Sequence, residues 1–322
     1  MLAKPKKKSR FGSCGKKHIP SFYYSLLLSY LYLPFRNPNN YEKLYILILA
    51  PQCMEANFSV WDVSVAKYHQ YSIKYPMYQK TGKFLVKKAK IKKGMMVLDL
   101  ACGTGITTKE ILKSIGREGE IIALDSSEKM INICKSGIKA TNVHFIRGSA
   151  EKLNKLVHRK IDVVICNAAF WQLVGNSEVL KGISSVLKLE GILVFNIPLQ
   201  YYKSSKSNRV ILSVFKTISE VAKKYGYCLK KKRSKKLIFN YDKVKSLLVK
   251  NKFKILSVTI FKIKRTPEDL FEFFKISIMN PLPYVPQKDR VKILNKALMK
   301  VKNKFKMIPT YWIVFIAKKY TN

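Results

Sequence analysis

The sequence predicts an α/β protein: a doubly wound, mostly parallel sheet with an inserted helical cap. Three observations carry this. From residue 58 onward, short continuous apolar runs alternate with amphipathic helical stretches, the pattern of a parallel sheet covered on both faces. The first apolar run ends in a turn of small residues that opens a helix. The second run ends in an acid, Asp125, 26 residues after Asp99 in the first.

The elements follow in order. Tyr75 to Lys90 reads as a helix with Phe84, Leu85 and Ala89 on one face, and Met95 to Leu100 as the first strand. Helix Thr107 to Ile115 and strand Glu120 to Leu124 come next. Ser126 or Ser127 caps a helix reaching about Ser136. Val143 to Ile146 and Ile161 to Cys166 are strands, Ser177 to Leu187 a helix, and Ile192 to Ile197 a strand. After Pro198 the alternation is interrupted. Residues 201–240 contain Tyr201-Tyr202, a helix near Val210 to Tyr225 and the basic run Lys230 to Lys236, which together suggest a cap. A helix near Asp242 to Lys250, a strand near Lys254 to Lys262, helices Glu268 to Met279 and Lys288 to Phe305, and a strand Tyr311 to Ala317 complete the chain. Pro281 to Pro286 reads as a rigid connector, and Phe261, Phe271, Phe273, Phe274, Tyr284 and Trp312 give this half apolar bulk. The expected organisation is thus 1–53 as an extension, 54–200 as a ligand-binding core and 201–322 as cap plus sheet completion.

Composition narrows the function classes. The 322 residues are 48% hydrophobic, which excludes a disordered chain. Six scattered cysteines without a C-x-x-C pair argue against a disulfide scaffold and a zinc ribbon, and no metal site is expected. Reduced cysteines fit a cytoplasmic protein. The net charge is +43, of which residues 1–53 carry +8, residues 54–200 +10 and residues 201–322 +25. Such a surface attracts polyanions. However, 53 of the basic residues are Lys and only 9 are Arg. Base reading favours Arg, so the excess reads as general surface composition. Residues 1–53 fit nothing downstream: a basic stretch precedes the apolar run Phe22 to Phe35. A leader would need a small-x-small cleavage site, where the chain has Arg36-Asn37-Pro38. An interfacial anchor touching a membrane surface is a second reading, and a true start at Met54 is the preferred one.

The segment Val97-Leu98-Asp99-Leu100-Ala101-Cys102-Gly103-Thr104-Gly105 carries the chemistry. Small residues let a ligand approach the backbone, and the following helix offers its unpaired N–H groups. A dinucleotide G-x-G-x-x-G would need Gly at 101 and 106, where Ala101 and Ile106 stand, and no Gly-Lys-Ser/Thr follows to make a P-loop. The segment resembles motif I of the class I S-adenosylmethionine-dependent methyltransferases. The resemblance covers about residues 58–200 and implies their seven-stranded sheet, with S-adenosylmethionine as cofactor.

The resemblance also assigns residues. Asp99, Ala101, Gly103 and Gly105 form the turn around the methionine part, Asp125 accepts the ribose diol, and Ser126 and Met130 line ribose and adenine. Ser149 and Ala150 end the third strand, Ser149 standing where the family commonly has an adenine-gripping Asp. Asn167 and Ala168 follow strand four, and Trp61, Ala66 and Tyr68 resemble the helices that fold over the cofactor. The acceptor should lie among Tyr71, Phe170, Trp171 and Gln172, with His69 and Gln172 as weak catalytic candidates. An adenine-N6 methyltransferase would have Asn/Asp-Pro-Pro-Tyr/Phe where this chain has Asn167-Ala168-Ala169-Phe170. Asn196-Ile197-Pro198-Leu199 lies one strand too late and has no aromatic for a ribosomal-RNA methyltransferase motif. A small acidic or lipophilic acceptor is therefore expected. An RNA-directed enzyme and a catalytically silent cofactor-binding module are the alternatives, and the oligomeric state stays open.

Overall fold

The computed structural model describes residues 61–173, 177–199, 209–227, 239–283 and 285–320. Seven strands form one sheet: β1 (Met96–Leu100), β2 (Glu120–Asp125), β3 (Val143–Arg147), β4 (Ile161–Cys166), β5 (Leu187–Pro198), β6 (Phe253–Arg265) and β7 (Ile308–Lys319). Their order is β3-β2-β1-β4-β5-β7-β6, with β7 antiparallel to both neighbours and the other pairings parallel. Two helices, α1 (Val65–Lys74) and α2 (Met77–Ala89), precede β1. The crossovers are α3 (Ile106–Ile115), α4 (Glu128–Gly137), α5 (Leu153–Leu156), α6 (Phe170–Leu173) and α7 (Ser177–Val186). Helices α8 (Arg209–Lys224) and α9 (Tyr241–Lys250) lie between β5 and β6, and α10 (Pro267–Phe274) and α11 (Gln287–Lys304) between β6 and β7. The strand order reverses between β1 and β4, which opens a crevice at their carboxyl ends.

Alternation along each strand divides the core between the two sheet faces. Leu98, Leu100, Ile122, Leu124, Val164 and Phe195 point to one face. Val97, Ile121, Ala123, Val163, Ile165 and Val194 point to the other. Burying each such side chain contributes about 1.5–3 kcal/mol. A third apolar cluster joins α8, α10 and α11 through Val214, Ile218, Phe271, Phe274, Ile293 and Leu294. Among the described residues no helix is long and apolar enough to cross a membrane.

Several boundaries differ from the expected ones for local reasons. The helix expected from Tyr75 begins at Met77, after Pro76. Leu187, expected to end a helix, opens β5; Glu190 at φ 64° with Gly191 kinks the strand, and its register against β4 shifts there. The helix expected over Glu268 to Met279 stops at Phe274, because Ile276 turns extended and is fully buried before a single 3-10 turn at Ser277–Met279. Strands β6 and β7 outrun their expected cores because they pair with each other from Phe253↔Lys319 to Arg265↔Ile308. The extension 1–53 with its anchor reading, the expected start at Met54, the basic run 230–236, Tyr201-Tyr202 and Tyr284 lie outside the described residues.

Candidate active site

The turn after β1 is shaped by backbone conformation. Ala101, Gly103 and Gly105 have φ of 57°, 56° and 86°. Alanine in this left-handed region carries strain that glycine does not. At Gly105 no larger residue fits: a Cβ would lie 2.6 Å from the Cys134 sulfur. Gly105 then starts α3. Asp99, in β1, accepts a 2.6 Å hydrogen bond from the Thr108 hydroxyl on α3, which ties strand to helix across the turn. Burial raises its carboxyl to about 7, against the lowering effect of Thr108.

Asp125 ends β2 and closes the other side. Its carboxylate accepts from Gly103 N at 2.9 Å and Ser127 N at 2.9 Å. It is buried, and burial raises its pKa. Ser127, not the exposed Ser126, caps α4, its hydroxyl oxygen accepting from Met130 N at 3.1 Å. The same hydroxyl donates to the Asp62 carboxylate, which draws the N-terminal segment onto the turn. Met130 is buried in the first turn of α4. Ser149 caps the short turn at Ala150, its hydroxyl oxygen accepting from Glu151 N at 3.3 Å.

The end of β4 is held by amides. Asn167 donates to Thr107 Oγ1 at 3.0 Å and to the Tyr78 carbonyl at 3.2 Å. It accepts from Asn196 Nδ2 at 2.9 Å, and Asn196 Oδ1 accepts from Ala168 N at 2.6 Å. This clamp holds Ala168 at φ 57°, a second left-handed alanine, past the end of the strand that pairs with β1. Phe170 is a correction to the expected pocket wall. It is 1% exposed and stacked on Phe195, ring centroids 3.5 Å apart, because α6 turns it down into the core. Trp171 faces the other way, 6.0 Å from Trp312. Gln172 accepts from the Trp61 indole at 3.3 Å.

Helix α1 lies over the turn. Tyr68 brings its hydroxyl 3.7 Å from where a Gly103 Cβ would stand, and burial raises its pKa. His69 is half-buried; burial first, then Lys109, lowers its pKa, and its Nδ1 has no partner. Tyr71 is tied down elsewhere. Its hydroxyl donates to Asp269 Oδ1 at 2.7 Å and accepts from Arg265 Nη2 at 2.8 Å. Its ring packs with Tyr75, Tyr78 and Phe273, and the same apolar cluster takes in Tyr68, Ala168, Trp171 and Trp312. The sequence reading missed Tyr78, Thr107, Asn196, Arg265 and Asp269. Of these only Asn196 carried a signal, in a motif set aside for its position.

The residues present fit S-adenosylmethionine. Asp125 spends part of its capacity of about four lone-pair positions on backbone N–H groups of Gly103 and Ser127 and keeps the remainder for a diol. Thr104 Oγ1 is a buried hydroxyl in the turn without a partner. The close approach of Tyr68 to Gly103 leaves a cradle that a side chain would fill. Among the described residues no three His, Cys, Asp or Glu side chains could share a metal.

The chain is similar to known proteins. A methyltransferase-domain family model matches residues 91–251, half of the chain. A malonyl-[acyl-carrier protein] O-methyltransferase of Coxiella burnetii is 34% identical over 104 residues, 32% of this chain and 41% of that protein. A demethylmenaquinone methyltransferase of Lactococcus lactis is 36% identical over 104 residues, 31% of this chain and 41% of that one. The chain thus spans about two fifths of the length of these curated relatives. Among solved structures, a Bacillus halodurans chain classed as a methyltransferase superposes with TM-score 0.51 at 16% identity, over 75% of this chain and 100% of that one. YjhP of E. coli gives 0.50 at 16% identity, over 80% and 99%.

Proposed function

The chain belongs to the class I S-adenosylmethionine-dependent methyltransferase family, and from that premise we propose that it transfers a methyl group to a small acidic or lipophilic acceptor. The observation that carries the reading is the aromatic cluster of Tyr68, Tyr78, Trp171 and Trp312, packed at the same sheet edge as the Gly103 turn. Ligand sites lined by aromatic side chains take compact, partly apolar ligands. The names of the relatives point the same way: one acts on a malonyl group on a carrier protein, another on a demethylmenaquinone.

When bound, the cofactor supplies an electrophilic sulfonium methyl for in-line displacement. The protein then has to bind, orient and exclude water. Asp99, Ala101, Gly103 and Gly105 shape the methionine cradle, and Asp125 holds the ribose. Ser126, Met130, Ser149 and Ala150 flank the base, and Asn167 and Ala168 complete the floor. Helix α1 places Tyr68 over the turn and shields it from water. Trp171 and Gln172 border the acceptor side. Positioning alone supplies about 7–11 kcal/mol of such a barrier. His69, whose pKa is lowered by burial and by Lys109, is the candidate base if the acceptor must lose a proton. Helices α8, α10 and α11 form the cap over this side.

The test is to give methyl-labelled S-adenosylmethionine and the full chain to an extract of the source cells, then split it into nucleic acid, protein and solvent-extractable fractions. Label in the small-molecule fraction supports the reading. Label in nuclease-sensitive material overturns it and makes the basic C-terminal third a nucleic-acid track. No label in any fraction makes the chain a silent cofactor-binding module.

A further inference from the structure

Beside the aromatic cluster lies a group of side chains that the cofactor does not explain. Strand β6 ends at Arg265 and β7 begins at Ile308, at the same carboxyl edge as Pro198, the last residue of β5. The pairs Arg265↔Ile308, Ile263↔Thr310 and Phe261↔Trp312 place Arg265, Thr310 and Trp312 on one face of the sheet. Five buried side-chain polar atoms among the described residues lack a hydrogen-bond partner. Three of the five are on this face: Arg265 Nε, Thr310 Oγ1 and Trp312 Nε1. Buried polar groups are ordinarily paired, so three orphans along one face call for partners that the chain itself does not supply.

Arg265 is 3% exposed and firmly held. Its Nη2 donates to Asp269 Oδ1 at 2.8 Å, to the Asp269 carbonyl at 3.0 Å and to the Tyr71 hydroxyl at 2.8 Å. The guanidinium carbon lies 5.0 Å from the Phe273 ring centroid and 5.9 Å from that of Tyr71. This leaves Nε–H as a fixed donor. The Trp312 indole, 4% exposed, is likewise only a donor, and the Thr310 hydroxyl serves as either. The missing partner is therefore an acceptor group. Two donors, one on a cation, in a water-poor aromatic setting select a carboxylate over a neutral amide.

We propose that Arg265, Thr310 and Trp312 form the subsite that recognises a carboxylate carried by the methyl acceptor. The acceptor then runs from this face past Trp312 and Trp171, 6.0 Å apart, toward Ala168 and the Gly103 turn. This rests on the small-molecule reading above and narrows it to acids.

The experiment titrates the full chain, saturated with S-adenosylhomocysteine, with malonate, glutarate and pimelate and with their monoamides, by calorimetry. Removing Arg265 would strand the buried Asp269 carboxylate, so Thr310→Val and Trp312→Phe are the test variants, the first deleting a hydroxyl at nearly constant shape and the second the indole N–H together with one of its two rings. The expected result is binding of at least one diacid, with its monoamide and each variant about tenfold weaker, while affinity for S-adenosylhomocysteine is unchanged. If no diacid binds, or if both variants bind it as the parent does, the proposal is overturned and the orphan groups hold only trapped water. Label from the extract experiment in a neutral or cationic small molecule overturns the subsite and leaves the small-molecule reading standing. Label in nucleic acid overturns both.

Discussion

The turn after β1 and the face of β6–β7 meet at one sheet edge but are made of different material. Around the turn the backbone does the shaping: alanines and glycines at positive φ, with Asp125 accepting from main-chain N–H groups. Across the β6–β7 face side chains do it: Arg265 braced by Asp269 and Tyr71, ringed by Phe273 and Trp312. A site built from backbone accepts whatever shares one cofactor scaffold. A site built from side chains selects among acceptors, and it is free to differ between relatives that share the turn. The matches to curated relatives cover about a third of this chain, in keeping with that division.

The comparison can be broken at its strongest point first. Asp269→Ala leaves Arg265 as an unpaired buried cation and should cost about 3–5 kcal/mol of stability, read as the urea midpoint. A loss below about 1 kcal/mol would show that side chains do not brace that face. Asp125→Ala frees two backbone N–H groups and removes the ribose acceptor. Affinity for S-adenosylhomocysteine should drop about 100-fold, roughly 2.7 kcal/mol, with the fold retained by circular dichroism. Unchanged affinity would refute the turn assignment.

Asp99 sharpens the comparison through pH. Its carboxyl is raised from 3.8 to about 7 by burial, so the folded state holds that proton more tightly than the unfolded chain. Its contribution is fully present below pH 4 and declines as pH rises toward 7. Asp99→Asn should therefore flatten the fall in urea midpoint between pH 4 and pH 7. An identical pH profile in the variant would place the titrating group elsewhere. Ser127→Ala, the smallest change, removes the α4 cap and should cost about 1 kcal/mol. A melting temperature equal to the parent's would mean that Met130 N finds another acceptor.

What could be read from the sequence follows the same division. Strands β1 to β4 show as apolar runs because both sheet faces are covered. The stretch Asp99 to Gly105 shows because only small residues turn there, and Asp125 shows because it ends a strand at a fixed distance. The Tyr71–Asp269–Arg265 group does not show, since Tyr71 and Asp269 are 198 residues apart and only the packing of α10 against α1 brings them together. Asn167 and Asn196 bridge neighbouring strands, a pairing that no local pattern announces. Phe170 was misplaced because a four-residue helix is too short to show which face each residue takes. The start of β5 was hidden by Glu190, whose left-handed conformation has no compositional mark.

The three tryptophans of the chain are Trp61, Trp171 and Trp312, and all three border the proposed acceptor side. Trp61 is hydrogen-bonded to Gln172 and stands edge-on to Tyr68, while Trp171 and Trp312 lie within contact range of each other. The intrinsic ultraviolet emission of this protein therefore originates beside its own binding crevice, with no tryptophan elsewhere to dilute it. Occupancy of that crevice can be followed optically in the unmodified chain.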